Sequence, residues 1–225
     1  MTMTLISGSG PIPRTEPYVW VTGMAKLLGG DTHCLWSLWF RAHFQAAKRP
    51  SDFDTCAWTA KHATLVRDRA ERLRVDGYKV YLENQNLVSV RGRNGGILAG
   101  KPDLLAVRNG KALVVDCKTA SQHVAHCMQV LLYMLLLPRA HPACGGRSIV
   151  GELCYPEFVQ LIEADQLTTA FKRDVGEAFG LITGDAPPPK TPSGRDCKYC
   201  NITAEDCPDR VDGEHVRIVD ASDVL

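Results

Sequence analysis

No stretch of this 225-residue chain stays apolar for long. The longest run, VLLYMLLL from Val130 to Leu137, falls far short of the roughly 20 residues a helix needs to cross a bilayer. Met1 to Pro13 carries neither a basic run nor an apolar stretch of signal-peptide length, so a soluble, cytoplasmic protein is expected. Net charge is nearly absent as well. With 26 basic and 25 acidic side chains, the chain is excluded from binding nucleic acid by bulk charge alone, and only a local basic surface remains open to it. No internal repeat is found, and the length fits one large domain with at most a small appendage.

Cysteine, by contrast, is plentiful. A chain of this size buries a core without disulfide staples, and nine cysteines in a reducing compartment cannot all pair. Metal ligation and ordinary burial are the two readings left.

Apolar spacing predicts helix from about Val21 to Ala47, broken near Gly29-Gly30, and a second helix over Thr59–Arg74 ended by Asp76-Gly77. The period then changes. Lys79–Val90, Leu98–Val107 and Ala112–Asp116 read as strands, the last two joined by the hairpin dipeptide Asn109-Gly110. A buried helix follows over Gln122–Leu137, stopped before Pro138, then a strand over Ser148–Tyr155 and a polar-faced helix over Ala164–Ile182. PPPKTPSG forms a stiff linker into Cys197. The order predicts an α/β fold, a mixed sheet flanked by helices. Four segments are expected: a flexible arm at 1–20, a helical region at 21–76, a sheet-containing core at 77–185, and a cysteine-bearing segment with an acidic tail at 186–225.

Charge is uneven along this order. Between Arg41 and Arg74 eight basic side chains outnumber four acidic ones, whereas from Cys200 to Leu225 seven acidic residues outnumber two basic ones. The plain reading is a solvated helix face and an acidic tail; the sharper one sets Arg67, Arg69, Arg72 and Arg74 against a phosphate backbone.

The segment GKPDLLAVRNGKALVVDCKTA, Gly100 to Ala120, carries the most chemistry. Side chains alternate along a strand, so Asp116 and Lys118 share a face that Cys117 leaves, and the hairpin brings Asp103 toward it. Two carboxylates and an ammonium at the end of an apolar strand pair are costly unless a cation compensates them. Hard oxygen donors suit Mg²⁺ or Mn²⁺. Alone, this spacing also fits a surface hairpin with a salt bridge. Gln129 and Tyr133, one helical turn apart, can face the same strand ends, and His62 upstream can complete a metal shell.

This constellation resembles the PD-(D/E)XK nuclease superfamily, and within it the RecB-like exonuclease branch. The matching residues are His62, Gly100-x-x-Asp103 with a literal Pro102-Asp103, Asp116-Cys117-Lys118 and Gln129-x-x-x-Tyr133, over roughly Leu27 to Cys207. The resemblance implies a restriction-endonuclease-like core. It also implies divalent metal on His62, Asp103, Asp116 and the backbone carbonyl of Cys117, with Lys118 holding or activating the attacking water and Gln129 and Tyr133 contacting substrate. Asp116 stands where glutamate is commoner, a departure the superfamily pattern admits.

Cys197-x-x-Cys200 followed by Cys207 is a metal knuckle lacking a fourth ligand. The resemblance supplies Cys34: iron–sulfur members of the branch, such as the CRISPR-associated exonuclease and AddB-type subunits, take one cysteine ahead of the nuclease core and three behind it. Spacing alone accepts Zn²⁺ as readily as a [4Fe–4S] cluster; the resemblance favours the cluster, which would tie the N-terminal helices to the C-terminal segment. Cys56, Cys127, Cys144, Cys154 and Cys117 are expected to be buried, His33 to be a bystander, and His123 and His126 to be packing or surface residues. Trp20, Trp36, Trp39 and Trp58 can stack on bases, although the spacing of Trp36 and Trp39 suits a core.

The function implied is metal-dependent hydrolysis of DNA, single-stranded and from an end, in CRISPR adaptation or in recombination and repair. Two alternatives stand beside it: a duplex endonuclease of the same superfamily, and a non-catalytic nucleic-acid-binding protein held by structural zinc or a cluster.

Overall fold

The structure is a computed structural model and describes residues 10–50, 53–211 and 213. In chain order its elements are β1 (Ile12–Pro13), β2 (Tyr18–Trp20), α1 (Val21–Leu28), α2 (Leu35–His43), β3 (Phe44–Gln45), α3 (Thr55–Val75), β4 (Lys79–Leu82), β5 (Val88–Arg91), β6 (Ile97–Gly100), β7 (Leu104–Arg108), β8 (Lys111–Cys117), α4 (Val124–Ala140), β9 (Ser148–Cys154), β10 (Val159–Ile162), α5 (Thr169–Thr183) and α6 (Gly194–Tyr199).

The centre is a five-stranded sheet in the order β10-β9-β8-β7-β4, antiparallel except for the parallel pair β8 and β9. Alternation along β8 sorts its two faces. Ala112 and Val114 join the main core with α4 residues Val130, Leu132 and Leu137, while Leu113, Val115 and Cys117 pack with Ala70 and Leu73 of α3. A parallel β8–β9 pair needs a crossover, and α4 supplies it. A smaller sheet, β2-β6-β5, packs against α1 and α4.

Asn109 and Gly110 both take positive φ, 48° and 75°, the turn that matches the twist of the β7–β8 hairpin. The expected long strands, however, are each cut in two. A 3-10 turn at Glu83–Gln85 separates β4 from β5, and Lys101-Pro102-Asp103 separates β6 from β7, sending the halves to different sheets. Proline has no N–H to give a ladder, so the break falls where the sequence carries Pro102.

Other expectations shift. The helix predicted to stop before Pro138 runs through it to Ala140; the Arg139 side chain donates to Leu135 O at 3.2 Å and His141 N to Leu137 O at 2.9 Å, closing the last turn. α3 begins four residues earlier than Thr59 because Asp54 caps it, accepting from Ala57 N at 2.9 Å. The expected flexible arm does not extend over residues 12–20: β1 pairs with β3, and β2 lies parallel to β6. Residues 1–9, and the part of the acidic tail at 212 and 214–225, lie outside the described residues. Edge strand β10 was missed, since Val159–Ile162 is short and follows a turn with no hairpin dipeptide. Among the described residues no helix is long and apolar enough to cross a membrane.

Candidate active site

The C-terminal end of β8 gathers side chains from four elements. Asp116 is 2% exposed and its Oδ1 accepts from Gln129 Nε2 of α4 at 3.0 Å. Lys118 extends the same face, its ammonium 3.0 Å from Gln129 Oε1 and 2.6 Å from Asp116 Oδ2. That second contact is a close ion pair to a buried carboxylate oxygen. Just ahead of β7, Asp103 Oδ2 accepts from Cys117 N at 2.7 Å and stands 3.2 Å from His62 Nε2 of α3. Asp103, Asp116, Lys118, Gln129, Tyr133 and His62 thus form one connected set.

Two residues hold the Asp103 segment by its backbone. The Tyr133 hydroxyl donates to Lys101 O at 3.2 Å, and the fully buried Asn86 donates through Nδ2 to Pro102 O at 3.3 Å and Tyr81 O at 3.0 Å. Gly100 lets Tyr133 lie there: a Cβ at that position would meet Tyr133 Cε1 at 2.7 Å and Val21 Cβ at 2.9 Å. Tyr133 is 2% exposed and Gln129 8%. As the structure stands, Gln129 contacts Asp116 and Lys118, and Tyr133 contacts the backbone before Asp103.

Electrostatics follow from burial. Desolvation pushes the Asp116 carboxyl up to about 6, against the pull of Lys118. The hydrogen bond to Asp103 raises the His62 imidazole above its ordinary value, and burial raises the Tyr133 phenol. Cys117 is raised chiefly by its hydrogen bond to Cys154, its register partner on β9, which is lowered in turn.

Two further residues adjoin the site: His126, expected as a packing or surface residue, and Tyr155, which the sequence did not single out. His126, one turn ahead of Gln129, pairs its Nδ1 with the Tyr155 hydroxyl at 2.9 Å, and burial, then Lys118, pushes it down to about 4. Tyr155 follows Cys154, whose carbonyl accepts from Lys118 N at 2.8 Å, so the end of β9 adjoins the lysine. The i, i+3 spacing of His126 and Gln129 was a usable signal; Tyr155 needed the β8–β9 pairing.

The basic helix is more divided than expected. Arg69 makes a bidentate contact with Glu152, at 2.6 and 2.5 Å, beneath the sheet, and is not available to a phosphate backbone. Arg41 is likewise bonded to Asn201 and Ser37. Arg67, Arg72 and Arg74 are exposed.

Cys34, Cys197, Cys200 and Cys207 line one pocket, together with Trp36, Ile202 and Lys190 among others; the remaining five cysteines lie elsewhere. Hydrogen bonds join both ends of the chain around it: His33 N to Asp196 Oδ1 at 2.9 Å, and Arg49 N to Asn201 O at 2.8 Å. Cys56, expected to be buried, is exposed in the first turn of α3. Among the described residues, no three His, Cys, Asp or Glu side chains stand close enough as placed to hold a metal ion.

Sheet and site together define a class: a mixed α/β protein with a carboxylate–lysine centre at its strand ends. The chain belongs to the PD-(D/E)XK nuclease superfamily, whose family model matches residues 29–204. Members of that superfamily are typically metal-dependent nucleases acting on DNA and generally use Mg²⁺ or Mn²⁺. A solved structure, that of SSO0001, is similar over 92% of this chain and 91% of its own, at 15% identity and a TM-score of 0.47. No curated protein matches the sequence.

Proposed function

We propose that this chain is a divalent-cation-dependent deoxyribonuclease that degrades single-stranded DNA from an end. The observation carrying the reading is the connected set Asp103, Asp116, Lys118, Gln129 and His62 at the end of β8, built from three secondary-structure elements and the segment before β7. Asp116 is a fully buried carboxylate whose Oδ2 meets the Lys118 ammonium at 2.6 Å, and hard oxygen donors of this kind suit Mg²⁺ or Mn²⁺.

Asp103, Asp116, His62 and the Cys117 carbonyl are the groups that would hold the ion, once their side chains close on it. When bound, such an ion polarises the scissile phosphate and acidifies the attacking water. Lys118, more exposed than Asp116 and held by Gln129, would orient that water by donating to it. Tyr133 and Asn86 act earlier, holding Lys101 and Pro102 so that Asp103 reaches the centre. Arg67, Arg72 and Arg74 contact the phosphate backbone.

End-labelled single-stranded DNA incubated with Mn²⁺ tests this: Asp116→Ala and Lys118→Ala abolish degradation, and unchanged rates in both refute the enzymatic reading. A supercoiled circle is left intact by an exonuclease; its cleavage assigns a duplex endonuclease instead.

The reading extends to the RecB-like branch, with a [4Fe–4S] cluster on Cys34, Cys197, Cys200 and Cys207. Four thiols from both ends of the chain lining one pocket support it, as does their soft donor chemistry. A role in CRISPR spacer acquisition or in recombination and repair goes with that branch. Anaerobically purified protein is then brown and carries iron and acid-labile sulfide; a colourless preparation with stoichiometric zinc overturns the cluster.

A further inference from the structure

Aromatic residues make up only 7% of the chain, yet exposed rings stand on both sides of the β8 terminus. On one side Trp58, 43% exposed, stacks on His62 at 4.9 Å with planes 18° apart, and Phe53, 58% exposed, lies 6.3 Å from Trp58. On the other, Phe158, 42% exposed, stacks on Tyr155 at 4.7 Å and 20°. The strand order β7-β8-β9-β10 decides their arrangement. His62 reaches Asp103 ahead of β7, and the Tyr155–Phe158 turn joins β9 to β10, so Lys118 at the end of β8 falls between the two groups.

We infer that Trp58 and Phe158 are stacking platforms for unpaired bases on either side of the scissile phosphate, which makes unpaired nucleotides the substrate class of this centre. The inference rests on the nuclease reading and deepens it. An exposed aromatic face beside a phosphodiester-cleaving site offers what a nucleobase can use and a phosphate cannot. Stacking is blind to base identity, since each base presents a π face, so no sequence preference is expected. Bases within a duplex already stack on each other and reach these rings only after unpairing. Trp58 has a second contact in His62, so its loss also removes the ring stacked on that imidazole; Phe158 stacks on Tyr155 instead, and separates the two effects.

The test uses the full chain and oligo(dT), intact or carrying abasic positions at the end to be cut. With Mn²⁺ and intact oligo(dT), Trp58→Leu and Phe158→Leu each raise KM about tenfold, as expected from the contribution of one stacked base, and lower kcat by less. Trp58→Phe restores KM. With the abasic oligonucleotide wild type rises to the level of the variants, and the variants lose nothing further. Equal losses on intact and abasic strands, or no loss on intact strands, overturn the inference. If wild type cleaves nothing, the nuclease reading fails by itself. Stacking is then decided by fluorescence: oligo(dT) without metal quenches wild type, and a quench unchanged in Trp58→Phe refutes the platform.

Discussion

Replacing Asp116 with asparagine separates what this carboxylate costs the fold from what it does for catalysis. Burial lifts its pKa from 3.8 to about 6. Because the folded value lies above the unfolded one, the protonated form is the one the fold favours. The stabilisation is complete below pH 4 and is lost as pH rises through 6. A two-unit shift corresponds to about 3 kcal/mol, or about 6 to 12 °C in Tm for a chain of this length. The asparagine side chain keeps an oxygen to accept from Gln129 Nε2 and does not titrate. The Tm of metal-free wild type should therefore fall relative to Asp116→Asn between pH 4 and pH 7.5, by up to that amount. Differences that do not titrate cancel in the pH dependence, and His62→Gln in both backgrounds removes the imidazole, whose raised value rests partly on Asp116. At pH 7.5, Mn²⁺ should raise the wild-type Tm and leave that of the variant unmoved, while the variant no longer degrades DNA. A Tm difference that stays flat from pH 4 to pH 7.5 would refute the argument that Asp116 is a buried, desolvated carboxylate.

Arg69→Ala strands the buried Glu152, which is 1% exposed, and should cost roughly 3–5 kcal/mol in urea unfolding; the paired change Arg69→Met with Glu152→Leu should cost much less. Asn86→Ala leaves Pro102 O and Tyr81 O without their donor, a loss of about 1–3 kcal/mol. Its nuclease rate should fall even at temperatures where circular dichroism shows a folded chain, because the segment carrying Asp103 is no longer pinned; a full rate at such temperatures would make Asn86 purely structural. Gln129→Leu, which removes the contacts to Asp116 and Lys118 while keeping an apolar side chain in the buried position, should lower kcat more than KM for single-stranded DNA.

The residues of the centre were legible because they follow local rules. Asp116, Cys117 and Lys118 alternate on one strand, Asn109-Gly110 returns that strand to Asp103, and Gln129 and Tyr133 repeat at one helical turn. Each of these is a statement about neighbours in the chain, and backbone periodicity alone delivers it. Cys197, Cys200 and Cys207 were legible for the same reason. Their company with Cys34 came from the family resemblance and from no local rule, because it depends on α2 packing beside the C-terminal segment.

Tertiary structure decided the rest. Periodicity names the faces of an element but not what covers them. Only the packing of α4 over β8 and β9 buried Gln129 and Tyr133 and set them against Asp116 and the backbone of Lys101. Likewise α3 is basic in sequence, yet the sheet beneath it claims Arg69 for Glu152 and leaves Arg67, Arg72 and Arg74 to solvent. His126 and Tyr155 joined the site because β9 lies parallel to β8, a pairing between segments more than thirty residues apart that no local pattern encodes. The sequence determined which chemical groups this protein carries and on which strand or helix each stands. The fold determined which are buried, which are paired, and which still face a substrate, since burial and pairing depend on contacts made across the chain.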